Sequence, residues 1–390
     1  MKRLKITGFA LIVAALVTPG YVRAETADVI NIGFTGPLSG GAAQYGSDVQ
    51  RGIELAIDEL NINGGIRAAG KKYTFKLVSL DDQYRPNEAA INAKRLVQES
   101  NTPIVFCPHS GGILALEGFN EKSTPKFLLA AYSSEPAILR QNDNLVFMMP
   151  PRYDSYFKSW TALEMKRFGK RLGLLPTTTA YGNAWKNGFS EAWKSAGGEV
   201  LGDNAVDYNT TADFSGVVSK ALADKPDVML VGGPSQPTAL VMKAARDQGY
   251  AGGFVMMDQS KFEQVAKVLP LAKLDGTVGV FPFDRYNGPG VQSFKTIYEK
   301  KYGKDREPNS EVVFNYMGMN ALARAMSLAN NVTDPVAIRA KLADAVRTLP
   351  KSKQALSLEG LTPAGHLQFR LQSEIVDHGT FKEFDIPALQ

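Results

Sequence analysis

The chain holds one cysteine, only three histidines and, beyond its first residues, no apolar run long enough to cross a bilayer. Cys107 alone cannot form an intramolecular disulfide, although an exported compartment would allow one. It sits in the apolar run 103–107, which predicts a buried core thiol rather than a reactive one. His366 and His378 lie in the tail, far in sequence from His109, and no His/Cys cluster has zinc spacing. There is no Gly-x-Ser-x-Gly elbow, no P-loop and no Gly-x-Gly-x-x-Gly after a strand. Asp81-Asp82 is a pair of carboxylates, but it ends a strand just before a helix, where solvation or capping is the usual reason. No metal and no cofactor is expected. An extracytoplasmic hydrolase stays open only as a reading without a recognisable catalytic set.

What is present begins with a basic start, Lys2, Arg3 and Lys5, followed by a short apolar run over 6–17. Val22-Arg23-Ala24 places small residues at the outer positions of a cleavage site. Residues 1–24 therefore read as a signal peptide, with Glu25 as the first mature residue and the periplasm as the destination. The formal charge of +5 includes Lys2, Arg3, Lys5 and Arg23, with no acid before Glu25, so the mature chain carries 5 − 4 = +1. That balance, without a long basic run, gives no case for nucleic acid.

Along the mature chain, 29–34 is apolar and β-branched and predicts a strand. A Gly/Ser-rich loop follows. Val49, Ile53, Ala56, Ile57 and Leu60 then recur on one face of a helix, which Asn63-Gly64-Gly65 stops. Further strands are expected over 73–80, 103–107 and 126–131, with helices over 88–97 and from 112 to 121. Strands alternating with helices at this spacing predict parallel sheets built from βαβ units.

The pattern occurs twice. Tyr45-Gly46, Gly52 and Ala56 in the first half match Tyr181-Gly182, Gly188 and Ala192 in the second at identical intervals. Each set follows an apolar strand, and Gly64-Gly65 and Gly197-Gly198 close the helices. Later strands match in kind: 103–107 with 226–231, and 126–131 with 253–257. Two homologous lobes follow. Ligands of open parallel sheets sit beyond the carboxyl ends of the strands, so the segments after matching strands form two facing rims. Those rims are small and hydroxylic: Ser39, Ser110, Ser133, Ser134 and Ser235, with Tyr45 and Tyr181. Amides at a helix start beside Ser110 and Gly111 would favour a carboxylate. An ordinary N-cap explains any one of these serines alone.

The string Ile32-Gly33-Phe34-Thr35-Gly36-Pro37-Leu38-Ser39-Gly40, then Tyr45-Gly46, Gly52, Ala56 and Asn63-Gly64-Gly65-Ile66, resembles the periplasmic leucine/isoleucine/valine-binding proteins of ABC transporters. The likeness continues through Asp81-Asp82, Ser110, Pro136, Tyr181-Gly182, Asp213-Phe214 and Gly232-Gly233, over roughly residues 29–330. It implies a type I periplasmic binding protein: α/β, two Rossmann-like lobes with parallel sheets, joined by a three-strand hinge. The expected division is 25–147 plus about 278–350 for one lobe and 148–277 plus about 351–390 for the other. The implied function is the periplasmic solute-binding component of an ABC importer. It would be a monomer that captures an amino acid of the branched-chain type by lobe closure and passes it to an inner-membrane permease. The resemblance also implies roles. Ser110 and neighbouring amides hold the ligand carboxylate, and Ser133 or Ser134 helps. Tyr181 closes from the second lobe, Tyr45 covers the ligand, and Asp258 takes the ammonium.

The departures leave alternatives. Gly111-Gly112-Ile113 keeps amides but loses the hydroxyls usual in the family. His109 beside Ser110 either pairs with a carboxylate or simply caps a strand. Asp258 is shorter than the usual glutamate, and Gln259 could face the cleft in its place. Without a counter-ion an ammonium would be rejected, and an aromatic or other amine-free carboxylate, or a small amide, would fit better. A periplasmic ligand sensor shares the same fold. The tail segments 367–370 and 380–384 read as a terminal hairpin.

Overall fold

The computed structural model describes residues 27–387; the expected signal peptide and cleavage site lie outside them. In chain order the elements are β1 Asp28–Gly36, α1 Ala43–Ile62, β2 Ile66–Ala68, β3 Lys71–Asp81, α2 Pro86–Glu99, β4 Ile104–Cys107, α3 Ser110–Glu117, β5 Leu128–Ala131 and β6 Val146–Met148. Then come α4 Phe157–Arg167, β7 Arg171–Pro176, α5 Ala180–Ser195, β8 Glu199–Asp203, α6 Ser215–Ala223, β9 Val228–Gly232, α7 Ser235–Asp247, β10 Gly253–Met256, α8 Phe262–Val265 and β11 Thr277–Val280. The chain ends with α9 Val291–Tyr302, α10 Ser310–Ala329, α11 Pro335–Arg347, β12 Leu358–Leu361, β13 Leu367–Phe369, β14 Gln372–Asp377 and β15 Thr380–Asp385.

Two large sheets form. One has the order β2-β3-β1-β4-β5-β6, the other β15-β14-β11-β10-β9-β7-β8. The strands β3-β1-β4-β5-β6 and β8-β7-β9-β10-β11 run parallel in the same relative order, so the internal repeat read from glycine spacing is a repeat of topology. Helices cover both faces. The central strands β4, β5, β9 and β10 are buried at every residue, as a doubly covered parallel sheet requires.

The matched glycines have one physical cause. A Cβ on Gly46 would collide with the Pro37 carbonyl oxygen, and a Cβ on Gly182 with that of Thr177. In each lobe the first turn of the helix lies directly on the loop leaving the first strand, and only glycine admits that approach.

The chain passes between the lobes three times: after β6, after β11 and after β13. Helices α9, α10 and α11 return to pack on the first core, where Val312, Val313 and Leu342 join Phe34 and Val49. The second lobe splits its core across its sheet. Leu175, Phe214 and Met242 lie on one side, and Trp160, Trp185 and Phe189 on the other.

The tail differs from expectation. Segment 380–384 does not pair with 367–370. β13 pairs with β12, and β15 pairs with β14 through a two-residue turn at His378 and Gly379, both with positive φ. Leu358, Leu361 and Phe369 pack on the first core, so the second sheet gains its tail strands only from Gln372. Strand β14 escaped the sequence reading because Gln372–Asp377 carries a buried glutamate, Glu374, within an otherwise mixed run.

Cys107 is fully buried, and burial pushes its thiol well up. Among the described residues, the carboxyls of Glu117 and Glu263 are enclosed with neither a hydrogen-bond partner nor an ion pair, whereas Glu164, also without a hydrogen bond, has Arg167 at 3.6 Å. Burial raises Glu117 and Glu263 each to about 8, against about 4.3 in an unfolded chain. Between those values the folded chain holds protons that the unfolded chain releases, so stability falls as pH rises from about 4.5 towards 8. The melting temperature should therefore decline from pH 5 to pH 8.5. Glu117→Gln should flatten part of that slope, as read by thermal denaturation across the series.

Candidate ligand-binding cleft

The first rim begins where β4 ends. His109 is the N-cap of α3, and its Nδ1 accepts from the Gly112 amide at 3.0 Å. That leaves the ring proton on Nε2, which donates to Asp82 Oδ2 at 3.0 Å. Asp82 also accepts from the Thr35 hydroxyl at 3.1 Å and the Tyr84 amide at 2.9 Å. His109 thus pairs with a carboxylate, as one sequence reading had it, and the element it caps is the helix α3 rather than a strand. Asp82, Cys107 and His109 come together with ligand-like spacing. A metal on Nε2 would force a proton onto Nδ1, against the Gly112 N–H, so this group is a hydrogen-bond network by its chemistry. It buttresses the rim while Tyr84 stacks on the histidine ring at 4.7 Å.

Beyond this buttress, Ser110 Oγ and Ser133 Oγ share a hydrogen bond of 2.8 Å. The amides of Ser110 and Gly111 open α3 and have no acceptor among the described residues, as expected for a helix start. Tyr45 donates its hydroxyl to the Pro108 carbonyl and lies near the Tyr132 carbonyl at 3.3 Å. Its ring is left as wall, 6.2 Å from the ring of Tyr132.

The second rim is built by α5 and the loop after β10. Tyr181 and Trp185, one turn apart on α5, share a face. Both donate to the same oxygen: Tyr181 Oη to Asp258 Oδ1 at 2.5 Å and Trp185 Nε1 to it at 2.8 Å. The Gln259 amide donates to the Tyr181 hydroxyl at 3.0 Å. Asp258 Oδ2 has no protein partner among the described residues.

The two rims are in contact. Gln259 Nε2 donates to the Tyr84 hydroxyl at 3.1 Å. Gln264 donates to Asp48 at 2.8 Å, the Gly41 amide to the Asn209 carbonyl at 3.1 Å. Lys261 Nζ reaches Glu311 Oε1 at 3.1 Å and also donates to the Asp258 carbonyl. Burial raises the Glu311 carboxyl to about 7, and Lys261 opposes the shift.

Between the rims lies a cavity with 310 Å³ of empty space, counting the part open to solvent. Tyr45, His109, Ser110, Ser133, Ser134, Tyr181, Asp258 and Gln259 all line it; Gly111 does not. A Cβ on Gly111 would lie 2.8 Å from Pro86 and 3.7 Å from Ala180 of the second lobe, so this glycine permits close approach of the lobes. The sequence reading placed Asp258 and Gln259 as rivals. Both line the cavity, but the Gln259 amide is engaged by Tyr84 whereas Asp258 keeps one oxygen free.

Tyr84, Pro108, Pro150, Lys261 and Glu311 also wall the cavity and fell outside the sequence candidates. Lys261 follows Asp258 by three residues, and extending the rim by one turn would have found it. Glu311 opens α10, which returns from the other lobe, and no repeat signal marks it. On the hinge side a second chamber shares Tyr132, Pro150, Asp258 and Lys261 with the first and is walled by Tyr156, Phe281, Tyr286, Phe314 and Phe369.

Known proteins resemble this chain in sequence and in fold. Residues 29–367 match the family model described as periplasmic binding protein. The Leu/Ile/Val-binding protein homolog 8 of Brucella abortus is 25% identical over 323 residues, which cover 78% of this chain and 77% of that protein. Among solved structures, the branched-chain amino acid transporter substrate binding protein LivJ from Streptococcus pneumoniae, in complex with isoleucine, superposes with a TM-score of 0.74 at 21% identity. That match covers 91% of this chain and 98% of LivJ. An ABC transporter solute binding protein from R. palustris, in complex with benzoate, superposes with a TM-score of 0.75 at 17% identity, covering 92% and 96% of the two chains. The chain belongs to the periplasmic binding protein family.

Proposed function

We propose that this protein captures an α-amino acid in the interlobe cleft, in the periplasm, and delivers it to an inner-membrane ABC permease. One observation carries the reading: a single cavity holds both an unpartnered carboxylate oxygen, Asp258 Oδ2, and a carboxylate-accepting set, the Ser110–Ser133 hydroxyl pair beside the open amides of α3. A zwitterion satisfies both ends. A benzoate-like acid satisfies one and leaves a desolvated carboxylate without its cation, which costs several kcal/mol.

Capture works by closure. Ser110 and Ser133 belong to one lobe, Asp258 and Tyr181 to the other, so the ligand meets both ends only when the lobes shut. Its higher affinity for the closed form shifts the population. Moving from 1:99 to 99:1 needs about 5.5 kcal/mol of differential binding, within reach of two or three charge-assisted hydrogen bonds at about 1.5–3 kcal/mol each. Tyr181 is already oriented by its bonds to Asp258 and the Gln259 amide, so the second rim meets the ligand without rearranging.

The test is calorimetric titration with leucine and with 4-methylpentanoate, its deaminated counterpart. The amino acid should bind at least about tenfold more tightly, the value of one lost charge-assisted bond. Equal affinities would sink the proposal in favour of an amine-free carboxylate. Ser110→Ala should weaken both ligands together, by about tenfold, because it removes a contact at the end they share.

A further inference from the structure

Among the described residues Lys261 is the one ammonium lining the cavity, and it is only 4% exposed. An ammonium has three protons to donate. Glu311 Oε1 and the Asp258 carbonyl take two. No described residue takes the third. Lys261 and Asp258 stand on the walls of both chambers, so they mark the boundary between the ligand cavity and the aromatic hinge-side chamber. A ligand anchored by its carboxylate at Ser110 and its ammonium at Asp258 can direct its side group toward this boundary.

From this placement we infer that Lys261 reads the ligand's side group and selects a neutral hydrogen-bond acceptor there, a carboxamide or similar carbonyl, over a branched aliphatic group. The inference rests on the α-amino-acid reading and departs from the branched-chain ligand implied by the family resemblance. An apolar side group would strip water from the remaining Lys261 N–H and return nothing, and an unmet buried donor is penalised. An anionic side group would also bond it, but the Lys261 charge is already matched by Glu311, and Asp258 lies beside it. A second anion would enter against two carboxylates. A neutral acceptor meets the donor and leaves the charge balance unchanged. Lys261 and Glu311 also come from different lobes, so the donor is held in place only when the cleft shuts. The side group is therefore read at closure, when water has left.

Free leucine, asparagine and aspartate share the same branching at Cγ and differ in what they offer Lys261. Titrating the mature wild-type protein with each should give asparagine at least about tenfold tighter than the other two, the value of one charge-assisted bond. The double variant Lys261→Met/Glu311→Gln removes the donor without stranding a buried charge. It should lose about tenfold for asparagine and bind leucine as well as or better than wild type, inverting the preference. Leucine binding at least as tightly as asparagine in the wild type overturns this inference alone, as does an equal loss for both ligands in the double variant, which would make the pair a closure contact only. Binding of none of the three overturns the α-amino-acid reading and this inference with it.

Discussion

Asp258→Asn should reduce the affinity for an α-amino acid by at least about a hundredfold, while the deaminated analogue binds as well as before or better. The substitution keeps Oδ1 as an acceptor for Tyr181 and Trp185, so the second rim stays assembled. What changes is the oxygen without a protein partner. It becomes an amide nitrogen, which carries protons and faces an ammonium with a dipole of the wrong sign. Breaking a buried ion pair by removing one partner costs roughly 3–5 kcal/mol, and about 2.7 kcal/mol already corresponds to a hundredfold. The residue is 9% exposed, so water screens the loss only slightly. Isothermal titration of the variant with both ligands reads the result. An unchanged affinity for the amino acid would place its ammonium elsewhere and leave Asp258 as a support for Tyr181 and Trp185.

The largest effect on stability is expected at Trp160. The indole is fully buried, stacks on Tyr156 at 4.7 Å and on Trp185 at 5.9 Å, and donates Nε1 to Ser373 Oγ at 2.8 Å. Trp160→Ala opens a cavity the rigid sheet cannot fill, which costs about 3–5 kcal/mol. It also leaves the buried Ser373 hydroxyl without its partner, for about 1–3 kcal/mol more. Because Ser373 belongs to β14, the loss loosens the terminal hairpin as well as the helix. Urea denaturation followed by far-UV circular dichroism should show a midpoint shifted down with the slope unchanged. Trp160→Phe, which keeps most of the volume, should recover more than half of the loss. A shift below about 1 kcal/mol would mean that the aromatic layer repacks around the gap, contrary to the rigidity expected of a close-packed interior.

The architecture was legible because it rests on local pattern. The strand β1, the helix α1 with its inward row from Val49 to Ile57, and the paired Tyr-Gly motifs of α1 and α5 are set by periodicity and by backbone approach. Both survive in a single sequence. The rims followed from strand direction, which is why Ser110, Ser133 and Tyr181 could be named as a group, whereas Asp258 entered through the family resemblance. Other features depend on partners far away in sequence. Nothing near Lys261 announces Glu311, and nothing in 372–377 announces that its neighbour is β11 rather than β13. His109 shows the boundary between the two cases. A capping role is local and could be anticipated, although the capped element is a helix and not a strand, whereas its bond to Asp82 joins the ends of two strands with β1 between them.

The three passages of the chain between the lobes bear on the order in which the protein can fold. Neither lobe is complete until late in synthesis. Asn309 donates to Asp48 across 261 residues, and α10 and α11 supply a large share of the core that β1 and α1 begin. The second sheet waits in turn for β14 and β15. A nascent chain stopped after β11 would expose apolar faces on both halves. Contacts of such long sequence separation form slowly, so the whole polypeptide is committed to a long-lived open state before either core can close. That delay suits a chain read as crossing a membrane before it folds. It also predicts that late truncations do the most damage: removal of the last two strands should cost the fold more than their modest length suggests.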